Sequence, residues 1–176
     1  MSINQDAPAV AVPPREEWPD PPSRTDGSDV LTEVILTTFR LNARLLEVAQ
    51  GLAAAGGLTA AWWQVLGGIL DEPRSVPEIG RRMGMTRQGV KRVADLLVER
   101  RLAEYRSTPA HGRARLLACT EAGYWAIRQI ALVQRPWADG LARELDTDAL
   151  RSALTTMQHL VTLLDAGQRG QDDGAT

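Results

Sequence analysis

Between Arg74 and Leu102 the chain contains two helix starts with one helix stop between them, and that spacing limits the folds open to it. Ser75-Val76-Pro77-Glu78 has the form of a capping box: the Ser75 hydroxyl is set to accept from the Glu78 backbone N–H, and the Glu78 carboxylate to reach back. Pro77 falls in the first turn, where no backbone donor is needed. The helix runs through Ile79 and Met83 to Gly84, a residue able to take the left-handed conformation that ends a helix. Thr86 then caps a second helix. The spacing predicts helix, tight turn, helix, with Gly80 where the two helices touch, Gly84 in the turn and Val90 anchoring the second helix.

A helix-turn-helix of this kind puts the N-terminal part of its second helix into the major groove of double-stranded DNA. From Arg87 to Arg101 the apolar Val90, Val93, Leu96 and Leu97 share one face, and Arg87, Gln88, Lys91 and Arg92 share the opposite one. Arginine suits guanine, glutamine suits adenine, lysine suits guanine or phosphate, and a threonine hydroxyl such as that of Thr86 suits a backbone oxygen. Ser75 joins these as a DNA-contacting candidate, and Gly89 leaves room for close approach. After Leu102 the segments around Glu104-Tyr105-Arg106 and Leu116-Leu117 flank Pro109-Ala110-His111-Gly112-Arg113, which reads as a hairpin. A basic hairpin in this place is a wing, with Arg113 at its tip placed for the adjacent minor groove.

A net charge of −2 speaks against nucleic acid until its distribution is resolved. Residues 1–33 carry seven acids and two arginines, whereas residues 81–115 carry ten basic side chains and three acids. The reading region is therefore cationic within an acidic chain. One cysteine and two histidines, His111 and His159, support neither an internal disulfide nor a structural zinc site. Cys119 reads as a buried, inert thiol. No nucleophile–base pattern, phosphate loop or spaced carboxylate pair points to an enzyme, and no cofactor is expected. Without a basic start and apolar run the N-terminus does not read as a signal peptide, so the expected location is cytoplasmic. Val48 to Leu70 has no charge over 23 positions, but five glycines and the helix stop at Gly56-Gly57 argue against a membrane span.

The fold class read from this pattern is mainly α with a small β-wing, a winged helix-turn-helix with N- and C-terminal dimerisation helices. Residues 1–29 hold six of the ten prolines and read as a disordered acidic arm, and 166–176 as a disordered tail. The domain between them covers 30–165, with a winged helix at about 58–120 and dimerisation helices at about 30–53 and 121–165. Val34, Leu41 and Val48 recur every seven residues, while Leu150, Leu154, Met157, Val161 and Leu164 step by the seam spacing of helix on helix. Glu121 to Arg135 is helical in pattern until Pro136 kinks or ends it. That is more apolar surface than one face can use, which points to a shared homodimer interface, the alternative being a larger monomer core.

On these residues the chain resembles the MarR (multiple antibiotic resistance regulator) family of winged-helix transcription regulators. Leu58 to Leu66 looks like that family's second helix, Val76 to Gly84 its third, Met85 to Leu102 its recognition helix, and Cys119-Thr120-Glu121-Ala122-Gly123 its entry into a long fifth helix. The family's Asp-x-Arg wing pattern stands here as His111-Gly112-Arg113, with the arginine kept and the aspartate absent. The resemblance implies a homodimer, an interleaved helical interface, a near-palindromic operator and a repressor released by a small aromatic effector. Phe39, Trp62, Trp63 and Trp125 are the candidate pocket aromatics, with Arg40 or Arg44 to meet a carboxylate. The competing reading is a winged-helix protein-interaction module that does not read DNA. Against it, the recognition face stays polar where a protein-binding surface would gain aliphatic or aromatic anchors.

Overall fold

The structure, a computed structural model, describes residues 12–107 and 115–173. Six helices and one hairpin follow each other as α1 (Asp26–Ala53), α2 (Ala60–Gly67), α3 (Val76–Met83), α4 (Arg87–Glu99), β1 (Ala103–Ser107), β2 (Arg115–Cys119), α5 (Glu121–Ala142) and α6 (Thr147–Asp173). The chain divides into two compact units, Met1–Ala43 and Arg44–Thr176.

In the first unit α1 begins at Asp26, four residues before the expected Val30. Thr25 and Ser28 explain the early start, each backbone N–H donating to the other's hydroxyl at 3.0 and 3.2 Å. Asp26 and Asp29 then occupy the first turn, where the helix dipole favours acids. The arm, expected to be without structure, holds a short 3-10 turn at Arg15–Glu17. Trp18 Nε1–H donates to the Pro13 carbonyl at 2.9 Å, and the Arg15 guanidinium lies 5.5 Å from the ring centre. Val30, Leu31, Ile35 and Phe39 stay exposed along the helix.

The second unit holds the core. Leu66, Ile69, Ile79, Val90, Leu97, Leu117 and Ile130 are fully buried in one cluster, and each side chain so removed from water contributes about 2 kcal/mol. Gly57, in the left-handed region at φ 68°, stops the helical run as expected. Thr59 then caps α2 by accepting from the Trp62 N–H, and Gln50 Oε1 accepts from the Ala60 N–H at 3.1 Å. The hairpin pairs Ala103 with Cys119 and Ser107 with Arg115 in antiparallel register. Its second strand also takes a bridge outside the hairpin, where Arg74 and Leu117 exchange backbone hydrogen bonds of 3.1 and 2.8 Å. The loop before α3 is thereby fixed to the hairpin.

Thr120 caps α5 and donates its hydroxyl to the Arg101 carbonyl at 2.8 Å. A Cβ at Gly123 would stand 2.2 Å from the Leu102 carbonyl oxygen, which is why the motif after β2 needs glycine there. Of the two alternatives for Pro136, an end is excluded, since α5 continues to Ala142; the ring removes one N–H donor from the ladder but keeps a helical φ. One expectation about the C-terminal helices is corrected. Beyond Ala166 the helix runs to Asp173 where a disordered tail was expected, because elongating an existing helix requires no new nucleus and Gly167 costs only about 1 kcal/mol. None of the described residues of α6 is buried, and Leu154, Met157, Val161 and Leu164 lie open on it.

Arg101 is the only non-glycine residue at positive φ among those described, at 58°. It follows the α4 C-terminus, where glycine avoids a cost of about 1 kcal/mol. Arg101→Gly should raise the thermal midpoint by about 3 °C, and Gly123→Ala should cost about 2 kcal/mol, both read by calorimetric or circular-dichroism melts. Cys119 is buried, and burial, with Glu121 adding to it, pushes its thiol up to about 11. Because the raised value favours the neutral thiol, almost no thiolate exists at pH 7.5. Iodoacetamide should therefore label the native protein slowly and the urea-unfolded chain fast. Fast native labelling would contradict this environment.

Candidate nucleic-acid interface

The turn between α3 and α4 is built on two glycines. A Cβ at Gly80 would sit 2.8 Å from the Met85 carbonyl oxygen, so the two segments meet backbone to backbone. Gly84 stands at φ 63°, and the Met85 N–H donates to the Gly80 carbonyl at 2.9 Å. At the start of α3 the Glu78 carboxylate accepts from the Ser75 N–H at 2.8 Å and from the Ser75 hydroxyl at 2.6 Å. At the start of α4 the Thr86 hydroxyl accepts from the Gly89 N–H at 3.0 Å. That bond leaves the Thr86 hydroxyl proton available to an outside acceptor.

With both ends set, α4 buries Val90, Val93, Ala94 and Leu97 and exposes Thr86, Arg87, Gln88, Lys91 and Arg92. The four charged or amide candidates thus share one solvent face, as their spacing predicts. They are not equivalent. Arg87, Gln88 and Arg92 have no side-chain partner among the described residues. Lys91 is engaged by Asp95 one turn along the helix. The other Asp95 oxygen accepts from the Tyr105 hydroxyl of β1 at 3.1 Å. The Lys91 hydrogen bond, and after it that of Tyr105, holds the Asp95 carboxyl below its ordinary range. Burial first, then the hydrogen bond to Asp95, pushes the Tyr105 phenol up to about 12.

The Arg115 guanidinium lies 4.4 Å from the Tyr105 ring centre. Ser75, Pro77, Arg87, Lys91, Tyr105 and Arg115 line a cleft of about 470 Å³ between the start of α3, the start of α4 and the base of the hairpin. Asp95, Tyr105 and Arg115 join this candidate site although the sequence did not single them out. The Lys91–Asp95 interval of four was legible, but Tyr105 and Arg115 meet only through the strand register. Arg113, with His111 and Gly112, lies outside the described residues.

Other basic residues nearby are committed elsewhere. Arg74, only 12% exposed, pairs with Asp71 and Glu72 and donates to the Gly68 carbonyl at 2.8 Å. The Arg74 hydrogen bond holds the Asp71 carboxyl far below the usual carboxylate range, and Asp71 also receives Arg82 at 3.3 Å.

The candidate effector residues are divided between the two units. Phe39 and Arg40 are exposed on the first unit. In the second unit Arg44 pairs with Glu47 at 2.9 Å, while Trp62 and Trp63 are half-buried against the core. The Trp62 ring carries the Arg100 guanidinium at 5.1 Å. Trp125, 66% exposed, lines an open groove of about 660 Å³ on α5 with Leu70, Tyr124, Arg128 and Arg135.

Among the described residues no helix is long and apolar enough to cross a membrane. A family model described as the MarR family matches residues 56–114, which span α2, the helix-turn-helix and the start of the hairpin. The uncharacterized protein Rv2011c of Mycobacterium tuberculosis (strain ATCC 25618 / H37Rv) is 34% identical over 139 residues, covering 79% of this chain and 97% of its own length. The transcriptional regulator BldR from Sulfolobus solfataricus superposes with a TM-score of 0.67 at 15% identity, over 77% of this chain and 99% of that one. A Staphylococcus aureus MarR in complex with salicylate and kanamycin gives 0.64 at 14% identity, over 78% and 94%. The capped reading helix, the paired hairpin and these likenesses agree: the chain belongs to the MarR family of winged-helix transcription regulators, which are DNA-binding proteins and not enzymes.

Proposed function

We propose that this regulator binds a near-palindromic operator as a homodimer and represses the gene beside it. The observation that carries the reading is the face of α4, where Arg87, Gln88 and Arg92 project into solvent without partners among the described residues, from a helix start fixed by the Thr86 cap. Side chains with no internal role, held on a rigid scaffold, are what base-edge recognition requires. A dimer with two such helices covers successive major grooves and excludes other proteins from that stretch, which makes repression the regulatory mode.

Dimerisation is supported by the apolar side chains left open on α1, α5 and α6, among them Ile35, Leu132, Leu154 and Val161. Stripes of this extent on a monomer mark an interface, and a second copy of the chain is the occupant whose own stripes match. A small aromatic effector completes the reading. Trp125 with Arg128 and Arg135 gives the α5 groove a ring to stack on and cations for a carboxylate. The salicylate held by the S. aureus structure is a ligand of that chemistry.

In sedimentation the protein should run as two chains. Leu154→Asp, at a site exposed in the single chain, should give a folded monomer with at least tenfold weaker DNA binding. Unchanged mass and affinity would remove the dimer from the reading. Footprinting on DNA flanking its own gene should show a symmetric protected site, and Gln88→Ala should lose about 1–3 kcal/mol of discrimination at one base pair of each half-site. An equal loss on every sequence would mean that Gln88 does not read bases.

A further inference from the structure

The cleft between α3, α4 and the hairpin has a property that the exposed face of α4 lacks. None of its lining residues is a carboxylate, and three of them, Arg87, Lys91 and Arg115, are cations. Lys91 is balanced by Asp95. Arg115 makes no ion pair among the described residues, and its guanidinium lies over the ring of Tyr105. We infer that Arg115 is a phosphate-binding residue for the DNA strand that passes between the reading helix and the wing, and that Tyr105 is the positioning residue that holds its guanidinium ready. The inference rests on the proposed DNA-binding function.

Three features carry it. Contact with the ring takes no hydrogen bond from the guanidinium, and no Arg115 N–H has a partner among the described residues, so Tyr105 orders Arg115 without consuming the groups a phosphate would need. The ring is itself anchored, because its hydroxyl donates to Asp95, whose other oxygen holds Lys91. The strand register supplies the third feature. Ser107 stands opposite Arg115 and Tyr105 opposite Leu117, so Tyr105 and Arg115 are diagonal neighbours, a distance that a ring and a long side chain span.

The test uses the full chain and a 30-base-pair duplex of random sequence, so that no operator need be known. Its readout is the slope of log binding constant against log potassium chloride concentration, measured by fluorescence anisotropy. Each phosphate neutralised contributes about 0.9 to that slope on duplex DNA. Arg115→Ala should lower the slope by about 0.9 for each reading head bound. Tyr105→Leu should lower it equally, and adding Arg115→Ala to Tyr105→Leu should lower it no further. Tyr105→Phe, which keeps the ring and loses only the hydroxyl that ties it to Asp95, should lower the slope by less than Tyr105→Leu; this separates placement by the ring from a general loosening of the hairpin.

An unchanged slope for Arg115→Ala would overturn the inference, as would a full second decrement in the double variant. If Tyr105→Leu does not fold, Arg115→Ala at its exposed strand start and Tyr105→Phe carry the test between them. A wild-type protein with no salt-dependent DNA binding would instead overturn the functional reading on which this inference rests.

Discussion

The backbone contact between Gly80 and the Met85 carbonyl sets the angle between α3 and α4, and the geometry offered to DNA depends on that angle. At 2.8 Å from a Cβ that glycine does not have, the contact admits no other residue without moving one helix. It works with the left-handed Gly84, which turns the chain so that Thr86 stands at the head of α4. Ile79 and Val90 then enter one core from the two helices, and the opposite face of α4 is left to solvent with its charges on it. Packing here dictates function indirectly. The more tightly the apolar side is fixed, the less entropy Arg87, Gln88 and Arg92 lose when they engage a ligand.

A second set of ties makes the winged unit one object. The hairpin is held to the loop before α3 by the Arg74–Leu117 bridge, and to α5 by the Thr120 hydroxyl on the Arg101 carbonyl. The Tyr124 hydroxyl of α5 donates to the Leu70 carbonyl at 3.1 Å. Arg74 shows how local charge misleads. It lies beside the cationic region, yet Asp71, Glu72 and the Gly68 carbonyl occupy it, so its charge serves the joint between α2 and the hairpin. The mean charge of −2 likewise describes neither the acidic arm nor the basic reading head.

Much of the site could be read from sequence because its determinants are local. A capping box, a turn glycine and a helical period each act within a few residues, so Ser75, Gly84, Thr86 and the two faces of α4 stood where spacing puts them. The misses have equally specific causes. The start of α1 depends on reciprocal hydroxyl bonds between Thr25 and Ser28, hidden in a stretch whose prolines suggest an unstructured arm. The far end of α6 continues because elongation is easier than nucleation, which composition does not register. Arg101 in a left-handed position defies the glycine rule, and the hydrogen bond from Thr120 that holds its carbonyl comes from 19 residues away.

The sequence by itself determined the helix-turn-helix, the polarity of its exposed face and the segregation of charge, since each follows from torsional preference, capping or the order of residues along one helix. Only the tertiary structure decided what meets these side chains from beyond their own helix. Asp95 stands one turn from Lys91 on α4, but the Tyr105 hydroxyl on its other oxygen comes from the hairpin. Tyr105 and Arg115, ten positions apart in sequence, meet because two strands pair in one register, and that register is fixed by the burial of Leu117 and its bridge to Arg74. A side chain's availability depends on what the fold brings beside it, and the fold brings together residues that the order of the chain keeps apart.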